Sequence, residues 1–598
     1  MTNLEIAELL RRVAAAYQIL GENRFRIIAY ERAADSIEHL TSELKDYWDD
    51  KKLTEIPGVG ETLAGHLDEL FRTGHSKHFD SVMAKLPQAI YPLLLVPGIG
   101  PKKAYRLVTE FKFTSEKTVV EDLEKVAKAH KIAPMEGFGE KSEADILANI
   151  EIYRRGQIKE NRMVLPLADS VAQDVIAFIK KLPSAKRIDL LGSLRRQVST
   201  IGDIDIAVAT TNPKEIISHF LTYPHQEIIE EGPTGASLRL HNGRQVDLRV
   251  QKPALYGAML QYFTGSKNHN IALRSLALSK GLSLNEYGIK HLSTGKVDTY
   301  PTEEGFYKAV GLAYIPPELR EDKGEIVAAL KGKLPKLVEI EDVKGDLHVH
   351  TDYNLEPSHD LGANSFDELL DKAEGLGYEY IGISDHNPSI NNHTEKQIID
   401  IMKRRKEYYE KKYSSWVQKV NKKCLPAGRQ VQYLLSCEVD ILPDGKLALP
   451  AGAFDYVDGV IVSLHSAFTQ DRKTVTRRII SALESNPKVR IFGHPTGRLL
   501  GKREGVDADW PEVFAVCKKQ DIALEINAGP ERLDLPDVLV YDAVKGGVKF
   551  CFGSDAHDVN GMDFMRYGVS VARRGWATKH DIYTTMEYND FRRWFVKS

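Results

Sequence analysis

The sequence predicts a multidomain chain: helical units at the N-terminus, an α+β region in the middle and a distorted α/β barrel at the C-terminus. Three observations carry that reading. A Pro-Gly-x-Gly turn leading into a helical stretch occurs twice, at Pro57–Gly60 and Pro97–Gly100. Two strand-like segments, Gly202-Asp203-Ile204-Asp205-Ile206 and Arg244-Gln245-Val246-Asp247-Leu248-Arg249-Val250, alternate carboxylates with apolar residues. From residue 344 onward, short apolar runs alternate with helical stretches, and most of the runs end in His, Asp or Glu. That alternation reads as parallel strands joined by helices. With 598 residues, several domains can each bury a core.

Residues 1–50 read as helical, with Leu4, Ile6, Leu9, Leu10, Val13 and Ala14 on one face. Ile56-Pro57-Gly58-Val59-Gly60 then precedes ETLAGHLDEL, and Val96-Pro97-Gly98-Ile99-Gly100 precedes PKKAYRLVTEF. Gly137-Phe138-Gly139-Glu140-Lys141 is a weaker third copy. A single turn of this kind is usually only a turn, but two with matching apolar positions make a repeat. The unit resembles the helix-hairpin-helix motif. The resemblance implies that backbone N–H groups around Gly58, Gly60, Gly98 and Gly100 approach DNA phosphates without reading sequence. Residues 1–85 hold 11 Lys plus Arg against 15 Asp plus Glu, so these contacts are expected to be few and salt-sensitive.

In the middle, the alternation in DIDI sets Asp203 and Asp205 on one face of a strand, and VDLRV adds Asp247. Three carboxylates on adjacent strands suit two Mg²⁺ ions, the arrangement that stabilises attacking and leaving oxygens in phosphoryl transfer. DxD alone is more often a solvated strand face. Here Gly192-Ser193-Leu194-Arg195-Arg196 precedes it, and arginines suit a triphosphate. The constellation looks like a nucleotidyltransferase palm. Tyr262-Phe263-Thr264-Gly265-Ser266-Lys267-Asn268-His269-Asn270 and the following helix resemble the thumb of family X DNA polymerases. By that resemblance Asp203, Asp205 and Asp247 are the catalytic, metal-binding carboxylates, with Asp247 as base or primer-hydroxyl orienter. Gly192, Ser193, Arg196 and Gly202 match triphosphate contacts. Tyr262, Phe263 and Gly265 match the segment against the incoming sugar, and Asn270 and Arg274 the helix that meets the nascent base pair. One departure stands out. The lysine that forms a Schiff base in lyase-active relatives aligns with His66, Thr62 stands where a basic residue is common, and no Lys occurs between 53 and 76. Imidazole cannot form that adduct.

The last region opens with Asp346-Leu347-His348-Val349-His350. It continues with Asp385-His386, Cys437-Glu438-Val439-Asp440, His465, His494 and Asp555-Ala556-His557. One His after a strand is usually structural; six with carboxylates at successive strand ends are a site, and barrels keep their chemistry at those ends. Imidazoles with carboxylates suit zinc, manganese or iron and can hold several ions. These segments look like the PHP (polymerase and histidinol phosphatase) domain, which implies a trinuclear centre. The implied ligands are His348, His350, Asp360, His386, Glu438, His465, His494, Asp555 and His557, with Glu438 bridging two metals. In the stretch TDYNLEPSHDLGANS, Asp352 or His359 could replace Asp360. Between two of the implied ligands, residues 396–423 hold 10 basic and 3 acidic residues with Tyr408, Tyr409, Tyr413 and Trp416 interleaved. A solvated amphipathic helix is favoured there over a guide for single-stranded DNA.

Net charge is −3, which says nothing about nucleic acid. Four Cys at 424, 437, 517 and 551 make no CxxC pair, which argues for a reducing compartment and against zinc–thiolate sites. The start MTNLEIAELLRR lacks a secretion signal and no long apolar run exists, so a cytoplasmic location without membrane contact is expected. The expected domains are helical units at 1–85 and 86–155, a palm at 156–260, a thumb at 261–320, a linker at 321–343 and a PHP barrel at 344–598. The expected function is template-directed filling of short DNA gaps in repair, with a 3′–5′ exonuclease in the barrel. Gapped or primer-template DNA and dNTP are the expected partners of a monomer. Mg²⁺ is expected at the palm, and Mn²⁺ or Zn²⁺, up to three ions, in the barrel. The alternatives are a phosphatase of small phosphate esters and a non-catalytic DNA-binding scaffold.

Overall fold

A computed structural model describes residues 3–38, 44–49, 51–56, 58–96, 99–135, 137–154, 162–241, 243–422 and 430–596. The chain divides into two compact units, Met1–Glu160 and Asn161–Ser598.

The first unit is all helical. α1 (Asn3–Leu20) packs on α2 (Arg24–Glu38), and α3 (Glu61–Thr73), α4 (Pro101–Glu110) and α5 (Glu140–Arg154) each follow one of the glycine turns. The three turns share one hydrogen bond: Val59 N donates to Ile56 O, Ile99 N to Val96 O and Phe138 N to Met135 O. The third copy is therefore built like the other two. Gly60 and Gly100 are the N-caps of α3 and α4, with extended backbone and no side-chain cap, so their helices begin with free amides. Gly98 lies outside the described residues. Val59, Leu63 and Leu67 share one buried apolar cluster with Ile99, Leu107 and Ile150.

The second unit contains the mixed sheet and the barrel. After α6 (Leu165–Ile179) come β1 (Arg187–Leu190), α7 (Gly192–Arg195), β2 (Ile204–Ala209), β3 (Glu227–Gly232), β4 (Gly235–Arg239) and β5 (Gln245–Gln251). The sheet order is β1-β2-β5-β4-β3, with β2 and β5 parallel and the other pairs antiparallel. That order brings the two carboxylate-bearing segments together at the sheet centre. α8 (Tyr256–Thr264) and α9 (Lys267–Ser279) follow and lead into a small three-stranded sheet.

The barrel strands are β6 (Gly345–Val349), β7 (Tyr380–Ile383), β8 (Gln432–Leu435), β9 (Glu438–Asp440), β10 (Val460–Ser463), β11 (Val489–Gly493), β12 (Ala523–Asn527) and β13 (Phe550–Gly553). They form two all-parallel sheets, β6-β7-β8 and β9 to β13 in order. Bridges Val349–Ala556 and His386–Glu438 join the sheets at both seams. The strands are apolar along most of their length because parallel sheets are covered on both faces. Leu347, Leu434, Ile461 and Ile491 pack with Phe591 and Phe595 of the C-terminal helix.

The basic, aromatic stretch forms α10 (Glu395–Lys422). Its Tyr409 and Trp416 are buried, so the rings serve packing rather than base stacking. Arg405 is fully buried, donating to Asp385 Oδ2 from Nε (3.0 Å) and Nη2 (2.9 Å) and to the Ser436 carbonyl (2.7 Å). Tyr409 donates to the same carboxylate oxygen at 2.8 Å, and Asp385 Oδ1 accepts Thr351 N at 2.8 Å. Removing one partner of such a buried pair costs about 3–5 kcal/mol. Arg405→Ala is therefore expected to lower the melting temperature of the barrel by several degrees. Arg405→Lys should recover less than half of the loss, because an ammonium lacks the planar fork. Thermal unfolding followed by circular dichroism reads both.

Two candidate metal centres

The first centre lies where β2 and β5 run side by side. Asp205 and Asp247 are register partners on these strands, and Asp203 stands exposed just before β2. Burial, then the charges of Asp203 and Asp247, push the Asp205 carboxyl well above the ordinary carboxylate range. Such a cluster repels itself until a cation fills it, and three carboxylates suit divalent ions. Gln245, two residues before Asp247 on the same strand face, donates to both oxygens of Asp247 at 3.1 Å. Gly192 (φ 55°) opens α7 beside Asp205; a Cβ there would meet Asp205 Oδ2 at 2.3 Å. Only glycine lets that backbone come so near the carboxylate.

The other predicted residues of the middle region lie on or next to α7, α8, α9 and the start of β2. Arg196 donates from Nε to Glu321 (3.0 Å) and from Nη1 to the Thr264 carbonyl (2.6 Å), next to Gly265. Ser193 is half-buried on α7, and Gly202 lies beside Arg162. Asn270 donates to the Tyr262 carbonyl at 2.8 Å, and the Arg274 guanidinium lies 5.2 Å over the Tyr262 ring. Phe263 meets Tyr262 edge-on and carries Arg249 5.8 Å over its face. Arg249 also draws down the Asp205 carboxyl, a link that a strand-borne arginine gave no sign of in the sequence.

The second centre lies at the C-terminal ends of the barrel strands. Glu438, fully buried, is its hub. Its Oε1 lies 2.8 Å from His494 Nε2 and 3.2 Å from His465 Nε2. Its Oε2 lies 3.0 Å from His386 Nδ1, 3.1 Å from His348 Nε2 and 3.6 Å from His350 Nε2. Burial raises this carboxyl, yet His348, His386 and His465 outweigh burial and hold it well below the ordinary range. Asp555 Oδ1 lies 3.3 Å from His350 Nε2 and 3.6 Å from His348 Nε2. His557 stacks on His350 at 4.2 Å. His494 (φ 24°) and Asp555 (φ 56°) both hold strained left-handed backbone, which recurs at functional sites.

Two neighbouring residues in the long turn after β6 reach this mouth. Asp360, largely exposed, is 3.7 Å from His557 Nε2 and 4.0 Å from His386 Nε2. His359 Nε2 is 3.1 Å from Asp440 Oδ1 and its ring stands 4.5 Å from that of His465. Asp352 is exposed. Four overlapping groups can each hold an ion: His350, His386 and His557; His348, His350, Glu438 and Asp555; His386, Glu438 and His465; His359, Asp440 and His465. His348 Nε2, His350 Nε2, His386 Nδ1, Glu438 Oε2 and His557 Nε2 are buried without a hydrogen-bond partner. Orphaned nitrogens and a carboxylate oxygen converging on one space fit bound cations.

Several residues here escaped the sequence reading. Glu525 accepts His348 Nδ1 at 2.7 Å and His494 N at 2.5 Å. Asn527 donates to Glu525 (3.1 Å) and Asp555 (3.3 Å). A Cβ at Gly553 would meet Glu525 Oε1 at 2.1 Å, so glycine makes room for that carboxylate. Asp440 holds His465 Nδ1 at 2.6 Å. These partners fix imidazole orientation. Arg532 lies 3.2 Å from Asp555 Oδ2, with its Nη1 buried and unpartnered. Glu525 and Asn527 alternate in ALEIN, which was a legible signal; Arg532 sits in a loop with none.

Family models match at residues 1–76 (helix-hairpin-helix domain), 91–151 (SAM-like helix-hairpin-helix tandem), 259–321 (DNA polymerase beta thumb) and 346–529 (PHP domain). The chain is 30% identical over 596 residues to the DNA polymerase/3′-5′ exonuclease PolX of Bacillus subtilis, covering 99% of this chain and 98% of that one. The chain belongs to the family X DNA polymerases with a C-terminal PHP domain. It is also 24% identical to the DNA polymerase lambda of Rattus norvegicus over 53% of this chain and 56% of that one. A probable phosphatase of Aliivibrio fischeri is 29% identical over 147 residues, 23% of this chain and 56% of that one. Palm and PHP domains of this family imply divalent cations, which the donor sets fit. Among the described residues no helix is long and apolar enough to cross a membrane.

A family X palm carries a stability cost at Asp205. A carboxyl whose folded pKa stands above its unfolded value opposes folding once pH exceeds the unfolded value, and more so up to the folded pKa. Asp205→Asn is therefore expected to melt higher than the wild type in EDTA at pH 8, with the difference shrinking toward about pH 4. Differential scanning calorimetry across that pH range checks the sign.

Proposed function

We propose that this family X polymerase fills short gaps in DNA during repair, base excision repair included, and that its PHP barrel trims 3′ ends as a 3′–5′ exonuclease. The observation that carries the first half is the register pairing of Asp205 with Asp247 beside the Gly192–Arg196 turn. Mg²⁺ is the ion for three hard carboxylates, and it supplies charge neutralisation for phosphoryl transfer. The chain's own groups bind and aim the reactants. Asp247, clamped by Gln245, orients the primer 3′ hydroxyl. Arg196, Ser193 and the backbone at Gly192 and Gly202 hold the triphosphate of the dNTP. Tyr262, Phe263 and Gly265 wall the sugar, and Asn270 and Arg274 meet the nascent pair. The helical unit holds the template through its hairpins. The second hairpin makes the stronger phosphate contact, because α4 begins with exposed Lys102 and Lys103 where α3 begins with Glu61.

Support for the exonuclease comes from the imidazole-rich donor set and from the name of the Bacillus subtilis relative. Imidazoles without thiolates favour Mn²⁺ or Zn²⁺, up to three ions, and such ions acidify water and neutralise phosphate. Arg532 offers an unpartnered N–H donor beside the ligands, suited to a phosphodiester oxygen. Asp360 is the ligand proposed from the long turn, with His359 as the neighbour that could serve. The direction of digestion rests on the relative. A cytoplasmic monomer acting on gapped or primer-template DNA completes the reading. The match to a probable phosphatase favours small phosphate esters as a second reading for the barrel alone.

His350→Ala and Glu438→Ala should each lose at least about 100-fold in Mn²⁺-dependent digestion of a 5′-labelled primer, as metal-site losses do, and still extend it. Glu438→Ala should lose more, since Glu438 belongs to two of the four groups and would release two metals. Asp205→Ala should show the reverse, digestion without extension. Wild-type digestion by both barrel variants would assign the nuclease elsewhere.

The first hairpin has no amine for lyase chemistry. His66 stacks on His78 at 4.2 Å, and burial lowers the pKa of both. Borohydride treatment with 5′-deoxyribose phosphate DNA is expected to trap no adduct on residues 53–76; a strong adduct mapping there would refute the argument.

A further inference from the structure

The palm's triphosphate turn is held from the barrel side. α11 (Met565–Arg574) packs on β12 and β13, the strands that carry Asn527 and lead to Asp555. Its last residue, Arg574, points the other way and is 6% exposed. Asp537 grips the Arg574 guanidinium from one side, accepting from Nε at 3.1 Å and from Nη2 at 2.9 Å. On the other side, Nη1 donates to the Arg196 carbonyl at 2.7 Å and to Glu321 Oε1 at 3.0 Å. That same Glu321 oxygen accepts Arg196 Nε at 3.0 Å. The barrel guanidinium thus holds the backbone of Arg196 and also the carboxylate that aims its side chain. One residue further, Gln197 has left-handed backbone (φ 56°) and its Oε1 accepts Ser570 Oγ of α11 at 3.1 Å.

We propose that Arg574 of the PHP barrel is a positioning residue for the polymerase site: it fixes the direction in which Arg196 meets the dNTP triphosphate. The inference rests on the reading of Arg196 as a triphosphate contact. Three features support it over plain docking of two domains. Arg574 bonds to Arg196, the arginine of the turn read as the triphosphate contact. It does so through two independent acceptors, a carbonyl and a carboxylate. Its own orientation is locked by Asp537, so it acts as a fixed point. Without it, Glu321 and Arg196 lose a shared partner, and the guanidinium of Arg196 can swing between Glu321 and the neighbouring Asp205, whose charge it also feels.

The test is steady-state filling of a one-nucleotide gap by the full-length protein with Mg²⁺. It compares wild type, Arg574→Ala, Arg574→Lys and Tyr567→Phe. Tyr567→Phe removes a different barrel–palm bond, from the Tyr567 hydroxyl to Asp169 (2.9 Å), and controls for loosened docking. Arg574→Ala should raise the KM for dNTP about tenfold with kcat within about twofold, because the residue acts on binding geometry. Arg574→Lys should restore part of that loss, since a point charge replaces a fork. Tyr567→Phe should keep the wild-type KM, and all three should digest a primer at the wild-type rate. A wild-type KM in Arg574→Ala overturns the proposal, and so does an equal rise in Tyr567→Phe. If Arg574→Ala does not fold, Asp537→Asn, which frees the guanidinium from its anchor, takes its place with the same two outcomes. A wild-type protein that fills no gap removes the polymerase reading itself, and this proposal with it; filling by wild type with unchanged variants removes the proposal alone.

Discussion

The barrel is organised by one buried charge. Glu438 has no solvent exposure, and an isolated carboxylate in that position would cost several kcal/mol. Its two oxygens instead meet imidazoles from four other strand ends, at 2.8–3.6 Å. It also sits on the seam between the two sheets, paired with His386. Strand lengths, register and loop entry in the barrel therefore have to agree on one point in space. The outer partners obey the same rule at one remove: Glu525 for His348, Asp440 for His465, and Arg405 for the Asp385 that neighbours His386.

What was legible in the sequence follows from how each signal is written. Ligands at strand ends stand beside apolar runs, so period and position expose them. The palm carboxylates are visible because alternation puts them on one strand face, and register then joins Asp205 to Asp247 across 42 residues of chain. The third glycine turn, weak in sequence, folds with the same hydrogen bond as the other two, because that bond needs only backbone. Orienting partners were hidden. Glu525 reads as an ordinary polar strand residue, and only folding brings it to His348, 177 positions away. Helix α10 is amphipathic as expected, but composition did not reveal that Arg405 is buried as a structural ion pair. In the long turn, sequence favoured Asp360 over His359, while geometry brings both to the mouth, each toward a different group of imidazoles.

The two centres differ in a way that bears on how one chain can run both. The palm offers oxygen donors, and burial with mutual repulsion leaves Asp205 reluctant to ionise without a cation. The barrel offers mostly nitrogen donors with a few carboxylates, among which imidazoles hold the buried Glu438 well below the ordinary carboxylate range. Hard, strongly hydrated Mg²⁺ suits the first, and imidazole-preferring ions suit the second. Donor chemistry therefore differs between the two centres.

Mechanical separation is less complete. One apolar cluster runs through palm and barrel, and directional groups add to it: Tyr567 with Asp169, Ser570 with Gln197, Arg574 with Arg196 and Glu321, and Arg498 reaching Ser199. An apolar interface tolerates sliding, whereas buried hydrogen-bonded arginines specify one register and are costly in any other. All but one of these contacts come from α11, whose Gly568 lies close against Ala528, just beyond β12. A single helix thus touches both the strands behind the barrel's imidazole cluster and the turn beside the palm carboxylates. The barrel is for that reason part of the palm's scaffold.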